Sequence, residues 1–498
     1  MTQEVKDSHI EREVRKGALT NSFGFIGKLA GPIFFILITR LYGPDVLGVF
    51  VTASALVETA LAFLVGGFKD GALIFVARHA DDEQEHPVLY MALANALAWS
   101  LGLALFVTAL VQAVGDPLIP SLYPSFGDRL LPMLRWMALA LPLMAFERIV
   151  MGATQGLKIM KYEAFLGGTI RPILLVLTSS LFWLGSPDVR GLSLAYLTTQ
   201  LLIFLIAVGI YGRELSWNEL RTAIRGFRLN REVLSFALPQ NLNATFDRFL
   251  TNIDVIMLGI FGFSAFEIGF YGAGALIVRE LRQIKLIFSS AFAPHVPRLF
   301  KERDLDQLAH AFARTSRWII MPLIPVLIGV ALLKGDLLRI VHPDFAGPSS
   351  VFMFFLLVIP YLQGTFGLAG NVVVMTGHSR FNLLNSTLAG ASNILLNLLL
   401  IPPLGLIGAA AASGATAVLK AGLELTEMTR ILHVRLLVSK IYKPHIAGLI
   451  ASVSVALILV TVPGADSTLL NRTGLVVVAL LAYAAVLKLL DGRTQRSS

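Results

Sequence analysis

The sequence predicts an all-α polytopic membrane protein: about fourteen transmembrane helices, in two pseudo-symmetric six-helix lobes followed by a C-terminal helix pair. Three observations predict it. The 498-residue chain is 55% apolar and only 15% charged, with a mean hydropathy of +0.73, whereas soluble domains run near a quarter charged. Apolar runs of roughly 18 residues or more, long enough to cross a bilayer, recur along the whole chain. Landmarks of the first half also return in the second. Gly48 is echoed by Gly269, Pro124 by Pro343, Pro142 by Pro360 and Gly156 by Gly377, at offsets of 218–221 residues. Chance similarity between greasy segments would not hold one register across four landmarks, and a polytopic chain built from two like halves is the usual plan of a transporter.

The elements follow in order. Residues 1–16 form a polar, charged cytoplasmic tail without the apolar stretch of a cleavable signal peptide. An N-lobe over 17–211 contains runs at about 17–40, 45–66, 88–114, 131–152, 163–184 and 191–211. A cytoplasmic linker, 212–231, leads to a C-lobe over 232–430, with runs at about 232–260, 267–293, 317–334, 350–371, 379–402 and 404–428. Runs at 442–463 and 472–490 complete the C-terminal pair, 442–490. Pro32, Pro142, Pro239, Pro322, Pro325 and Pro360 fall inside runs, where each removes a backbone donor and bends the helix. Bent helices commonly border transport sites. Beside Pro239, the amides of Gln240, Asn241 and Asn243 either bond sugar hydroxyls or satisfy the kinked backbone, and the second role is favoured.

Charge sets the orientation. With the N-terminus inside, 26 of the 41 basic residues fall in cytoplasmic segments and six in outer loops, as the positive-inside rule requires. Both termini are then cytoplasmic, and most of the +9 net charge is explained without nucleic acid. The Arg-rich 213–231 stretch reads as a lipid-facing connector. There is no phosphate-binding Gly-rich loop ending in Lys-Ser or Lys-Thr, and no cysteine for disulfides or thiolate metal sites. A membrane glycosyltransferase carries acids in a sizeable outer loop. The longest here, about 115–130, offers Asp116 and Asp128 alone, so the chain reads as a non-enzyme without a cofactor.

Charges at bilayer depth cost at least about 2.5–3.5 kcal/mol each on insertion scales, so they face a cavity or a partner. Arg279, Arg282 and Lys285 recur every three residues and share one helix stripe. They either line an aqueous cavity that holds an anion, or pair with Glu280, Glu267 or Asp254, or snorkel toward the interface. Lys28 sits mid-run among Gly24, Gly27 and Gly31 and is expected in the same cavity. Arg248, beside Asp247, is either a ligand contact or a structural pair. Glu58 and Asp254 are the candidate ion-coupling carboxylates, Glu58 alternatively bridging to Lys28. Lys420 and Glu424, at i and i+4, read as an intrahelical pair. Arg135, Arg148 and Arg171 read as interfacial anchors.

The residues also carry a family resemblance. Arg40-Leu41-Tyr42-Gly43-Pro44-Asp45-Val46-Leu47-Gly48-Val49-Phe50 resembles the Arg-x-x-Gly-Pro-(acidic)-x-x-Gly-x-(aromatic) junction after the first helix of Wzx-type polysaccharide flippases, in the multidrug/oligosaccharidyl-lipid/polysaccharide (MOP) exporter superfamily. Asp254 through Gly259, with Gly269-Phe270-Tyr271-Gly272-Ala273, resembles their second-half pattern. Asn393 to Pro402 and Gly405 to Ala410 resemble their eleventh and twelfth helices. The fourteen-helix count is also similar to that of lipid II flippases, in which the extra C-terminal pair adds a groove for the lipid tail.

The resemblance implies a cargo of polyprenyl-diphosphate-linked oligosaccharide, moved across the bacterial cytoplasmic membrane by alternating access. Lys28, Arg248, Arg279, Arg282 and Lys285 would hold the pyrophosphate in a cationic central cavity, and sodium or protons would couple at Glu58 or Asp254. Lipopolysaccharide or exopolysaccharide synthesis is the implied pathway, with a polysaccharide polymerase and a chain-length regulator as partners. The alternatives are a lipid II-type flippase or a multidrug exporter of the same superfamily, although a drug-cation cavity should be acidic.

Overall fold

The computed structural model describes residues 30–80, 82–347 and 349–495, and among them every regular element is a helix. The first half runs through α1 (Ala30–Tyr42), α2 (Pro44–His79), α3 (His86–Leu122), the bent pair α4 (Gly127–Leu139) and α5 (Leu141–Gly156), α6 (Lys161–Trp183) and α7 (Val189–Glu214). Short α8 (Trp217–Arg225) occupies the basic linker. The second half contains α9 (Arg231–Ile260), α10 (Ala265–Phe292), short α11 (His295–Lys301), α12 (Leu305–Val341), the bent pair α13 (Phe352–Thr365) and α14 (Leu368–Met375), α15 (Ser379–Leu404) and α16 (Leu406–Thr426). Then come α17 (Val438–Thr461) and α18 (Leu469–Gln495).

Each of the fourteen apolar runs therefore meets a helix. Among the described residues, nine helices are long and apolar enough to cross a membrane, or eleven if each bent pair is one span. The shortfall has a chemical cause. α9 and α10 span 30 and 28 residues but are too polar to qualify, α9 through its amides at 240, 241 and 243 and α10 through Arg279, Glu280, Arg282 and Lys285, and α1 starts at the edge of the described residues. Several helices outrun their apolar segments. At 1.5 Å per residue, the 36 residues of α2 extend about 54 Å, well past a hydrocarbon core of about 30 Å. α3 likewise continues through Pro117 and Pro120 to Leu122, so much of the expected outer loop at 115–130 is helical. Asp116 there pairs with Arg135 at 2.6 Å.

The duplication is written in the backbone. Gly43 before α2 and Gly262 before α10 hold φ of +92° and +83°, a conformation that glycine adopts without strain. The bent pairs turn by 43° in the first half and 49° in the second. The repeat-related glycines also meet. A Cβ on Gly48 would lie 1.7 Å from the Ala265 carbonyl oxygen, and one on Gly269 would lie 2.6 Å from that of Pro44. Small residues here bring α2 and the start of α10 into backbone contact.

Among the described residues, contacts gather 30–272 into one compact unit and 273–495 into another. α9 belongs to the first unit and lies along α2. A Cβ on Gly67 would lie 2.1 Å from the Ala237 carbonyl oxygen, and the Gly67 amide donates to Asn241 Oδ1 at 2.6 Å. Asn241, near Pro239, thus joins two helices.

In the second unit, α17 and α18 are tied to α12 by charge. Arg317 donates to both carboxylate oxygens of Asp491 at 2.7 Å, and Lys443 reaches the same carboxylate at 3.0 Å. Arg472 grips Asp336 with two bonds of 2.6 and 2.7 Å.

Candidate functional site

The predicted cationic stripe forms on α10. Arg279, Arg282 and Lys285 lie three residues apart, and the lower part of the stripe faces the bent pair α13–α14. Arg282 Nε donates to Gln363 Oε1 near the end of α13 at 2.8 Å. Lys285 places its ammonium against the break itself, where a Cβ on Gly367 would lie 2.8 Å from Nζ. One turn on, Asn371 of α14 donates to the Ser289 hydroxyl. Arg279 is exposed. None of the three cations makes an ion pair among the described residues.

Glu424 approaches the same break from α16. A Cβ on Gly370 would lie 2.8 Å from its Oε1, and Lys285 and Lys420 both act on it electrostatically. The intrahelical pair expected between Lys420 and Glu424 does not close. Lys420 instead points to the Ser386 hydroxyl on α15, at 3.4 Å. A π-turn, Glu427–Ile431, follows α16, and buried Glu427 accepts from Asn385 Nδ2 at 2.8 Å.

The other predicted residues lie in the first unit. Arg248 and Glu58, expected to bind an anion and to couple an ion, face each other at 3.3 Å, both half-exposed. Asp254 accepts from the buried Tyr271 hydroxyl at 2.6 Å. Lys28, and with it the pairing to Glu58, lies outside the described residues.

Sequence reasoning missed a second charge network. Glu147, only 2% exposed, receives Arg171 at 2.8 Å and Arg148 at 3.5 Å. Arg148 also approaches Glu163 at 3.8 Å, and Lys69 binds Glu163 at 2.9 Å. Arg148 and Arg171 are thus members of a network centred on a buried carboxylate, not interfacial anchors. The available signal was Glu147 itself, an acid inside an apolar run that requires a partner.

Among the described residues, no predicted site residue borders the cavity of about 760 Å³ in the second unit, beside the C-terminal pair. Its walls are mostly apolar, with Leu327, Leu357, Val455 and Leu475 among them, but Lys334, Asp336, Arg339, Asp466 and Arg472 also line it.

The family of polysaccharide biosynthesis proteins matches residues 14–300, more than half of the sequence. The chain belongs to this polysaccharide biosynthesis protein family. An uncharacterized membrane protein of Methanocaldococcus jannaschii is 25% identical over 413 residues, covering 78% of this chain and 90% of its own. Among solved structures, the lipid II flippase MurJ in an inward closed conformation superposes with a TM-score of 0.72 at 13% identity, over 96% of this chain and 99% of its own. An inward-facing MATE multidrug transporter gives 0.63 at 16% identity, over 82% and 95%. The MATE multidrug transporter DinF-BH gives 0.63 at 17%, over 85% and 97%. At such identities the likeness is one of fold. This polysaccharide biosynthesis protein has the all-helical architecture of the MATE and MurJ transporters.

Proposed function

We propose that the protein is a flippase for polyprenyl-diphosphate-linked oligosaccharide, carrying it across the bacterial cytoplasmic membrane for cell-surface polysaccharide such as lipopolysaccharide or exopolysaccharide. The observation that carries this reading is the stripe on α10. Arg279, Arg282 and Lys285 make no ion pair with a carboxylate among the described residues. A pyrophosphate needs such donors to leave water, because charge-assisted bonds replace its hydration. Gln363 fixes the Arg282 guanidinium, and Gly367 leaves room for the Lys285 ammonium.

Arg248 and Lys28 complete the proposed cationic set, Arg248 becoming available when its bond to Glu58 opens. Sodium or proton coupling at Glu58 and Asp254 belongs to the same scheme. Movement follows alternating access between an N-lobe (17–211) and a C-lobe (232–430), both termini remaining cytoplasmic. The lipid tail runs along the C-terminal pair, where the apolar side of the cavity of about 760 Å³, at Leu327, Leu357, Val455 and Leu475, gives it a bed. A polymerase and a chain-length regulator act on the delivered oligosaccharide.

A second reading, a lipid II-type flippase, is favoured by the extent of the MurJ superposition, 96% of this chain. A multidrug exporter shares the fold but fits an unpaired cationic stripe poorly, since drug cations require acids.

Lipid-linked oligosaccharide measured in cells lacking the protein tests the proposal. Wild type should clear the accumulated intermediate, and the Arg279→Ala, Arg282→Ala double variant should not. Equal clearance by both would make the stripe structural. Absence of any accumulation would remove this cargo.

A further inference from the structure

Two glutamates at the end of α16 stand in opposite states. Glu427 is buried and held by Asn385 at 2.8 Å. Glu424, one turn earlier, has neither a hydrogen bond nor an ion pair among the described residues, although it lies inside a candidate membrane span. Its carboxylate rests in the space left by Gly370, and Lys285 rests in the space left by Gly367. The bend between α13 and α14 therefore has a cation seated at one glycine and a carboxylate at another, three residues on. The two charges act on each other without closing a salt bridge.

The geometry points to Glu424 as the internal counter-ion of the α10 stripe, giving up its negative charge by taking a proton when a phosphate-class anion binds there. This rests on the reading of the stripe as the diphosphate site. The groups around Glu424 leave it that role. Lys285, Lys420 and Glu427 act on it directly, and Arg282 acts on Lys285 in turn. The acids of α10, Glu267 and Glu280, are not among the groups that act on Glu424, and of the helices facing α16, α13, α14 and α15 contain neither Asp nor Glu. Of their remaining ionisable groups, Tyr361 is engaged by His445, and Arg380 is exposed at the start of α15.

With Glu424 ionised, Lys285 and Lys420 are partly neutralised and the stripe attracts an anion weakly. A dianion entering beside Lys285 brings like charge against Glu424, which favours its neutral form. One proton moves from water to the carboxylate as the anion binds and returns to water as it leaves; no other bond changes. Anion occupancy and proton occupancy are thereby linked at one site. Glu58 and Asp254, already bonded to Arg248 and Tyr271, are less free to serve this way.

The test uses the full-length protein in lipid nanodiscs and inorganic pyrophosphate as probe. Calorimetric titration in two buffers of different ionisation enthalpy yields the protons taken up per anion. Wild type should take up close to one proton more than Glu424→Gln, a difference in which the probe's own titration cancels. Between pH 6 and pH 8, wild-type affinity should fall about a hundredfold more than that of the variant, since one proton taken up on binding weakens binding about tenfold per pH unit. Glu424→Ala serves where the glutamine variant does not fold, and Glu427→Gln should retain wild-type uptake. Binding that depends on Arg282 and Lys285 but shows equal proton counts with and without Glu424 overturns this inference alone. Failure to bind pyrophosphate, or equal binding by Arg282→Ala, Lys285→Ala, overturns the anion site and this inference with it.

Discussion

The bent span α4–α5 of the first repeat and the bent span α13–α14 of the second both adjoin charges that lipid would reject, and each charge set lies beside a π-turn, at Leu166–Ile170 and Glu427–Ile431. In the first, Glu147, Arg148, Arg171, Glu163 and Lys69 close on one another at 2.8–3.8 Å. In the second, Arg282 holds an amide, Lys285 and Glu424 occupy glycine notches, and no salt bridge forms among them. The same device thus has two outcomes. A closed network is a structural solution to charge at depth, whereas charges left apart keep bonding capacity for something that arrives.

The largest expected effect tests the closed network. Glu147→Ala leaves Arg171 and Arg148 without their shared carboxylate and should destabilise the fold by about 3–5 kcal/mol. Thermal unfolding in detergent measures it; an unchanged midpoint would mean that the network contributes nothing. Next is Arg282→Ala with Lys285→Ala. Losing two charge-assisted contacts should lower clearance of lipid-linked oligosaccharide about a hundredfold, with little change in unfolding temperature. A large fall in stability with clearance preserved would reverse the comparison.

Gly370→Ala should unseat Glu424, since the new Cβ would meet its carboxylate at 2.8 Å. Pushed toward Lys285, the carboxylate would close the second network in the manner of the first, and transport should fall about tenfold, the scale of an overpacked site. Gly102, with open space around it, is the control. The smallest effect belongs to the C-terminal pair. Arg472→Ala removes the grip on Asp336 and should cost about 1 kcal/mol or less, read as a small shift in melting. A shift as large as that of Glu147→Ala would make the pair as integral as the networks.

How much of this was legible differs by residue. Stripe membership of Arg279, Arg282 and Lys285 followed from spacing, because residues three apart on a helix share a face. Their freedom from carboxylates did not, since Glu280 and Glu267 offered partners of equal standing in the sequence. Spacing also suggested a Lys420–Glu424 pair, but Ser386 on a neighbouring helix draws the lysine away. The network around Glu147 joins residues up to 94 positions apart, beyond the reach of any local pattern.

By itself the sequence determined the all-helical class and, among the described residues, a helix under each apolar run. These depend on local quantities: apolar length against bilayer thickness, the backbone's need for internal hydrogen bonds in lipid, and glycines that only a turn or a close approach requires. Only the tertiary structure decided which charges are paired and which stand open. Pairing depends on the rotation of each helix and the identity of its neighbours, and a shift of one helix position turns a side chain by about 100°. That is enough to make Arg171 part of a closed network and leave Arg282 bonded only to an amide.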